Sequence, residues 1–419
     1  MSVQKIQASI ITIGDELLIG QTIDTNSSWM ATELNKVGVW VRRRVAVGDV
    51  REEIWQALDE ESRESQIILI TGGLGPTADD ITKPLLCDYF GGKMVVDEGA
   101  LQNVTNIFTN ILKRPMIERN LKQAEVPDVC EVLLNKRGTA PGMLFRKENR
   151  IFVSLPGVPH EMKGLMTDSV IPLLQKEFEL PRILHRTLLT AGAGESFIAE
   201  RLSNWEEALP GTVKLAYLPN YGMVRLRLTS TVTTNTEEQV LNRLFDELQE
   251  LVKDIMVINE DQTLEFALGQ LLQLKQKFLA TAESCTGGYI AHLITSNAGS
   301  SAYFKGSAVT YANEVKEQIL DVQHSTLEQQ GAVSEATVVE MAKGILKQTN
   351  ADYAIATSGI MGPGGETPGK PVGTVWVAVG SNDKMEAHQF HFRFDRMRNI
   401  HLTAANALLQ LYRFIQNEA

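Results

Sequence analysis

The chain has 419 residues, more than one hydrophobic core usually organises, so two or three domains are expected and a small stapled scaffold is excluded. Forty Lys and Arg stand against 51 Asp and Glu, and the formal charge of -11 argues against a general nucleic-acid binder while leaving room for a local basic patch. With 43% hydrophobic and 22% charged residues, the composition is that of an ordered globular chain rather than a disordered or fibrous one.

Strand-like and helix-like segments alternate from the start. An apolar run to Ile13 precedes a helical pattern over 26–37 and a β-branched run over 39–47; Asp49 then reads as the N-cap of a helix with Glu52 and Glu53 in its first turn. Residues 67–71 read as a buried parallel strand, so the first fold is α/β with a doubly wound sheet. A hairpin turns at Glu148-Asn149, and Leu155-Pro156-Gly157-Val158-Pro159 interrupts the pattern before a helix resumes. Over about 181–254, a strand, a helix, a strand pair around Asn220-Tyr221-Gly222 and a second helix form a small α+β domain. Residues 257–262 read as a polar junction. A third α/β region follows: a helix over 263–276, a strand over 278–282, a helix, a strand over 308–311, a helix, a strand over 353–357, a hairpin and a long final helix. The expected domains are 1–175, 176–257 and 262–419. Apolar runs are strand-sized and fall short of the ~20 residues of a membrane span. The N-terminus lacks a secretory pattern, so the expected location is the cytoplasm, away from membranes. Cys87, Cys130 and Cys285 are widely spaced with no C-x-x-C pair, and read as reduced thiols.

The sharpest N-terminal motif is Thr71-Gly72-Gly73-Leu74-Gly75-Pro76-Thr77-Ala78-Asp79-Asp80-Ile81-Thr82, at the carboxyl end of a parallel strand, where α/β folds bind ligands. Glycines there let amide N–H groups approach phosphate oxygens, aided by the following helix N-terminus. Asp79 and Asp80 do not suit bare phosphate; they suit a divalent cation bridging carboxylate and diphosphate, or else one of them caps the helix. Gly14-Asp15-Glu16 with Asp24-Thr25-Asn26 follows the first strand in the equivalent position, and the Gly157 loop with Glu161 completes a shared crevice. Together these segments resemble the molybdopterin-binding fold, and their order is similar to the amino-terminal part of the CinA family of competence/damage-inducible proteins. That resemblance implies divalent-metal-dependent hydrolysis of ADP-ribose to AMP and ribose 5-phosphate. Asp79, Asp80 and Glu16 then become metal or water-activating groups, with Gly72, Gly73, Gly75 and Gly157 against phosphate.

In the last third, Ala282-Glu283-Ser284-Cys285-Thr286-Gly287-Gly288 joins a strand to a helix, a place where a hydroxyl can act as nucleophile beside amides that hold an oxyanion. No His stands in an obviously paired position; Thr310-Tyr311-Ala312-Asn313-Glu314-Val315-Lys316 instead offers a Lys base and a Tyr. The bland alternative is that Ser284 caps its helix and Lys316 is a solvated helical residue. Cys285 reads as a small packing residue. The segment from Thr357-Ser358-Gly359-Ile360-Met361-Gly362 to Lys370-Pro371-Val372-Gly373-Thr374-Val375 nearly spells a P-loop, but Pro371 replaces the hydroxyl that would hold magnesium, which excludes a nucleotide triphosphatase of that kind. His388 and His391, three apart on a strand, face opposite sides and form no metal pair.

These three segments look like the carboxy-terminal CinA domain shared with the stand-alone deamidase PncC. The resemblance implies cofactor-free hydrolysis of the carboxamide of nicotinamide mononucleotide to nicotinic acid mononucleotide and ammonia. Ser284 is then the nucleophile and Lys316 the base, Tyr311 orients or relays, and amides near Thr286 and Gly287 hold the oxyanion. Gly287, Gly288, Thr357, Ser358, Gly359, Arg393 and Arg396 contact ribose or phosphate. Met361 departs from the small residue more usual after the Ile. The family also implies a homodimer or larger assembly. Two other readings stand beside this: an N-terminal half that only binds pterin or nucleotide, and a non-catalytic scaffold with protein partners.

Overall fold

Seven residues of β1 (Gln7–Ile13) alternate between two cores: Ala8 and Ile10 point to one face of a sheet, Ile11 and Ile13 to the other. The computed structural model describes residues 6–75, 77 and 80–418. It divides into two units, one comprising Met1–Leu184 and Ser230–Val240, the other His185–Thr229 and Leu241–Ala419.

In the first unit, β2 (Trp40–Val47), β3 (Ile67–Thr71), β6 (Glu131–Leu133), β7 (Gly142–Lys147) and β8 (Arg150–Leu155) join β1 in the order β2-β1-β3-β8-β7-β6. Strands β2, β1, β3 and β8 run parallel; β7 is antiparallel to β8, and β6 antiparallel to β7. The β7–β8 hairpin turns at Glu148 and Asn149 with φ 49° and 61°, the left-handed pair a two-residue hairpin needs. One face is covered by the helix Thr25–Lys36, through Met30 and Leu34, and by the helix Pro159–Leu165. The other is covered by Ile54 and Leu58 of the helix Arg51–Glu64. Strands β4 (Met94–Val96) and β5 (Glu125–Pro127) form a separate antiparallel pair. Asp49 does not cap the helix expected behind it: Val50 occupies the N-cap without a side-chain bond, and the Asp49 carboxylate instead accepts from the Asp15 amide at 3.2 Å.

In the middle region, β9 (Arg182–Ala191), β10 (Val213–Asn220), β11 (Met223–Val232) and β12 (Met256–Ile258) form a sheet in the order β10-β11-β9-β12. Strand β12 occupies part of the stretch read as a polar junction, because its backbone completes the edge of β9.

The last sheet has the order β14-β13-β15-β16-β17, with β13 (Leu279–Glu283), β14 (Phe304–Val309), β15 (Tyr353–Gly359), β16 (Thr374–Gly380) and β17 (Met385–His391). Strand β13 lies parallel between β14 and β15; β16 and β17 are antiparallel. The helices Leu264–Leu274, Tyr289–Thr295 and Arg396–Asn417 contribute to the core on one face, and Glu335–Thr349 to that on the other. Between β14 and β15 the single helix expected from the sequence is three, Asn313–Leu320, His324–Gln330 and Glu335–Thr349. Asp321 at φ 57° and Gly331 at φ 76° take conformations that end a right-handed helix.

Candidate active site

All five residues of β13 have zero solvent exposure, and its carboxyl end lies between the ends of β14 and β15, with Glu283 in register with both Val309 and Thr357. Ser284 begins the turn beyond, its amide donating to the Thr357 carbonyl at 3.0 Å. Gly287 and Gly288, at φ 60° and 93°, close that turn into the helix Tyr289–Thr295.

Lys316, from the helix Asn313–Leu320, is 1% exposed. Its Nζ stands 3.1 Å from Ser284 Oγ, 2.8 Å from the Thr310 carbonyl oxygen and 3.2 Å from that of Tyr311. Burial pushes the ammonium below its ordinary pKa, which makes loss of its proton easier than for a solvated lysine. The deprotonated amine can donate to the two carbonyls and turn a lone pair toward the serine hydroxyl. The bland alternative fails on both counts: Gly288 occupies the helix N-cap without a side-chain bond, and Lys316 is withdrawn from water.

Glu283, to which the sequence reading gave no role, organises the turn. Its carboxylate is fully buried and accepts from the amides of Gly288 at 3.0 Å, Ile290 at 3.0 Å and Ala291 at 2.9 Å, and from Thr286 Oγ1 at 2.8 Å. Thr281 and Ser307 add longer contacts at 3.3 and 3.4 Å. The positive end of the short helix and these donors offset its charge. An acidic residue ending a strand carries no sequence mark of burial, because its partners are main-chain amides.

Several expected roles change. The Thr286 hydroxyl is engaged with Glu283 and lies 2.8 Å from Thr357 Oγ1. The Gly287 amide donates to the Ser284 carbonyl and that of Gly288 to Glu283, so neither is free to hold an oxyanion. Ser358 Oγ donates to the Ala332 carbonyl at 2.7 Å, and a Cβ on Gly359 would meet Val375 at 2.8 Å; both serve packing rather than an open pocket. Tyr311 is 63% exposed, and its hydroxyl accepts from Arg396 Nη2 at 2.9 Å rather than facing the serine. Arg396 Nη1 donates to the Gly362 carbonyl at 2.8 Å, which ties the glycine-rich loop to Tyr311. Arg393 is exposed. Cys285 is 5% exposed, and burial pushes its thiol up to about 12.

In the first unit, three strand-end loops meet as expected. The Asn26 amide donates to the Gly157 carbonyl at 2.7 Å, and Thr71 Oγ1 donates to the Pro156 carbonyl at 2.9 Å. A Cβ on Gly72 would lie 2.2 Å from the Ile13 carbonyl oxygen, and one on Gly73 would lie 2.1 Å from Thr82 Oγ1. Two cavities result: one of about 130 Å³ lined by Glu16, Asp24 and Gly72, the other of about 490 Å³ lined by Gly73, Gly75, Asp80 and Glu161, with Gly157 in both walls. Glu16 and Asp80 thus line different cavities. Asp80 Oδ1 accepts from the Gly75 amide at 2.7 Å and Oδ2 from that of Thr77 at 2.8 Å, so it closes its own loop; it does not cap the helix Thr82–Phe90. Asp79 lies outside the described residues. Among those described, no three His, Cys, Asp or Glu side chains are grouped to hold a metal.

The sequence profile of the probable molybdopterin binding domain matches residues 9–176, that of the damage-inducible protein CinA KH domain 185–256, and that of the CinA C-terminal domain 261–415. A CinA-like protein of Cytophaga hutchinsonii is 46% identical over 415 residues, 97% of each chain. Another, from Flavobacterium psychrophilum, is 44% identical over 411 residues, 98% of each chain. A crystal structure of a CinA superfamily protein from Klebsiella pneumoniae is 36% identical, covers 37% of this chain and 96% of its own, and has a TM-score of 0.36.

Proposed function

The chain belongs to the CinA family, and from that premise we propose that its C-terminal domain is a serine amidohydrolase converting nicotinamide mononucleotide to nicotinic acid mononucleotide and ammonia. The observation that carries this reading is the 3.1 Å contact between Ser284 Oγ and the Nζ of Lys316, a buried lysine whose pKa burial lowers. Neutral Lys316 takes the hydroxyl proton as Ser284 Oγ bonds to the carboxamide carbon, and the Thr310 and Tyr311 carbonyls hold the ammonium so formed. The amides of Cys285 and Thr286 receive the oxyanion. The carbon–nitrogen bond then breaks, Lys316 returns the proton to the departing nitrogen, and ammonia leaves. Water resolves the ester, giving one proton to Lys316 and thence to Ser284. Arg396, with exposed Arg393 near it in sequence, meets the substrate phosphate.

For the N-terminal domain, Asp80 spends both carboxylate oxygens on the amides of its own loop, which favours a nucleotide- or pterin-binding crevice over metal-dependent hydrolysis of ADP-ribose. Purified protein is incubated with nicotinamide mononucleotide and, separately, with ADP-ribose plus magnesium or manganese, each with and without chelator, and products are separated by chromatography. Chelator-resistant release of nicotinic acid mononucleotide is the expected result. AMP formed only with metal would restore the hydrolase reading of the first domain. No product from either substrate would put the scaffold reading first.

A further inference from the structure

A cavity of about 460 Å³ opens in the second unit, and none of the residues lining it belongs to the Ser284–Lys316 pair or hydrogen-bonds to it. Its volume falls in the range of roughly 300–1,000 Å³ that small-ligand sites occupy. Leu264 and Leu408 give it apolar walls, and three rings stand in a row along it. The His401 ring centroid lies 5.0 Å from that of Tyr221 and 4.8 Å from that of Tyr289, at ring angles of 67° and 38°. Such a row offers π faces to a further flat ring.

Two polar groups in the wall say what kind of ring. Glu265 makes no hydrogen bond or ion pair among the described residues, so its carboxylate is an acceptor open to a ligand in a wall whose other polar side chains, the two tyrosines apart, are Asn220, Thr263, His401 and Arg225, the guanidinium being held by Asp261 and the Gln262 carbonyl. Burial first, then the neighbouring Tyr221 and Glu265, hold the Tyr289 hydroxyl above its ordinary pKa, which keeps it a neutral donor. A planar heterocycle that donates from an exocyclic amine and accepts at a ring nitrogen satisfies both. We propose that this cavity is a second small-molecule site, distinct from the deamidation centre, that takes an amino-substituted purine base of the adenine kind.

The test is calorimetric titration of the full chain with adenosine and with inosine, which replaces the exocyclic amine by a carbonyl. Adenosine is expected to bind about tenfold tighter than inosine, and to bind equally well when nicotinamide mononucleotide is present at saturation. Ala405→Phe fills the cavity from its half-buried wall and is expected to weaken adenosine about tenfold or more, with an unchanged thermal midpoint as the check on folding. Glu265→Gln keeps the shape of the wall and is expected to erase the preference for adenosine over inosine. Failure of the unmodified chain to bind adenosine, equal binding of the two nucleosides, loss of adenosine in competition with nicotinamide mononucleotide, or binding unaltered by both substitutions would each overturn the proposal. The outcome is independent of whether the chain deamidates nicotinamide mononucleotide.

Discussion

Two lysines are buried among the described residues, one in each unit, and they differ in one neighbour. Lys83 is 7% exposed and donates to the carbonyls of Gln123 at 2.7 Å and Glu125 at 3.2 Å; burial lowers its pKa to about 8. Lys316 likewise donates to two carbonyls and is likewise lowered by burial, but its third neighbour is a serine hydroxyl. Desolvation eases loss of the proton in both places; only Lys316 has a serine hydroxyl beside it. A buried lysine is therefore a fastening by default, and the role of base proposed for Lys316 rests on what the chain folds beside it.

The largest effect expected from breaking this contrast is at the nucleophile. Ser284→Ala should lower turnover of nicotinamide mononucleotide by about ten-thousand-fold or more, with the fold intact by circular dichroism. Unchanged turnover would remove Ser284 from the mechanism. Lys316→Met and the permanently charged Lys316→Arg should each lose about a hundred- to ten-thousand-fold in kcat. Lys83→Met should leave kcat unchanged while lowering the thermal midpoint, because two carbonyls lose their donor at about 1–3 kcal/mol each. If the two methionine variants lost turnover alike, the contrast would collapse. Glu283→Gln places an amide group among donors, and kcat should fall about tenfold to a hundredfold while KM moves less.

The smallest effect is in pH. Since the base works unprotonated, kcat/KM should rise with pH along its acid limb, with a midpoint below the ordinary lysine value, and Lys316→Met should remove that limb. Stability follows the same sign at Lys83. Between about 8 and 10.5 the unfolded chain holds a proton that the folded chain has released, so unfolding free energy should rise with pH across that window. A Lys83→Met chain should show a shallower slope in chemical denaturation across the same range.

Periodicity and glycine placement made most of the architecture readable, since the strands at 7–13, 67–71 and 353–359 and the turns at Glu148-Asn149 and Tyr221-Gly222 rest on local rules. Ser284 and Lys316 were legible for a related reason: a hydroxyl at a strand-to-helix turn and a lysine on the next βα unit are brought together by adjacent parallel strands. What stayed hidden depends on where main-chain groups point. Glu283 is buried by amides of a helix that starts beyond it, Tyr311 serves Lys316 through its carbonyl rather than its hydroxyl, and Asp80 folds back on its own loop. Asp49 had the right residue type and position for a cap, yet its carboxylate is held by the Asp15 amide from another loop.

Cys285 follows Ser284, the proposed nucleophile, and its raised pKa bears on a different property of the site. At neutral pH a thiol near 12 is ionised to only about one part in a hundred thousand, and oxidants and disulfides react with the thiolate. Peroxide has almost nothing to attack there, and the hydroxyl beside it is not oxidised under such conditions. If Ser284 is the nucleophile, as proposed, turnover should persist through a burst of oxidant that silences an enzyme whose nucleophile is sulfur.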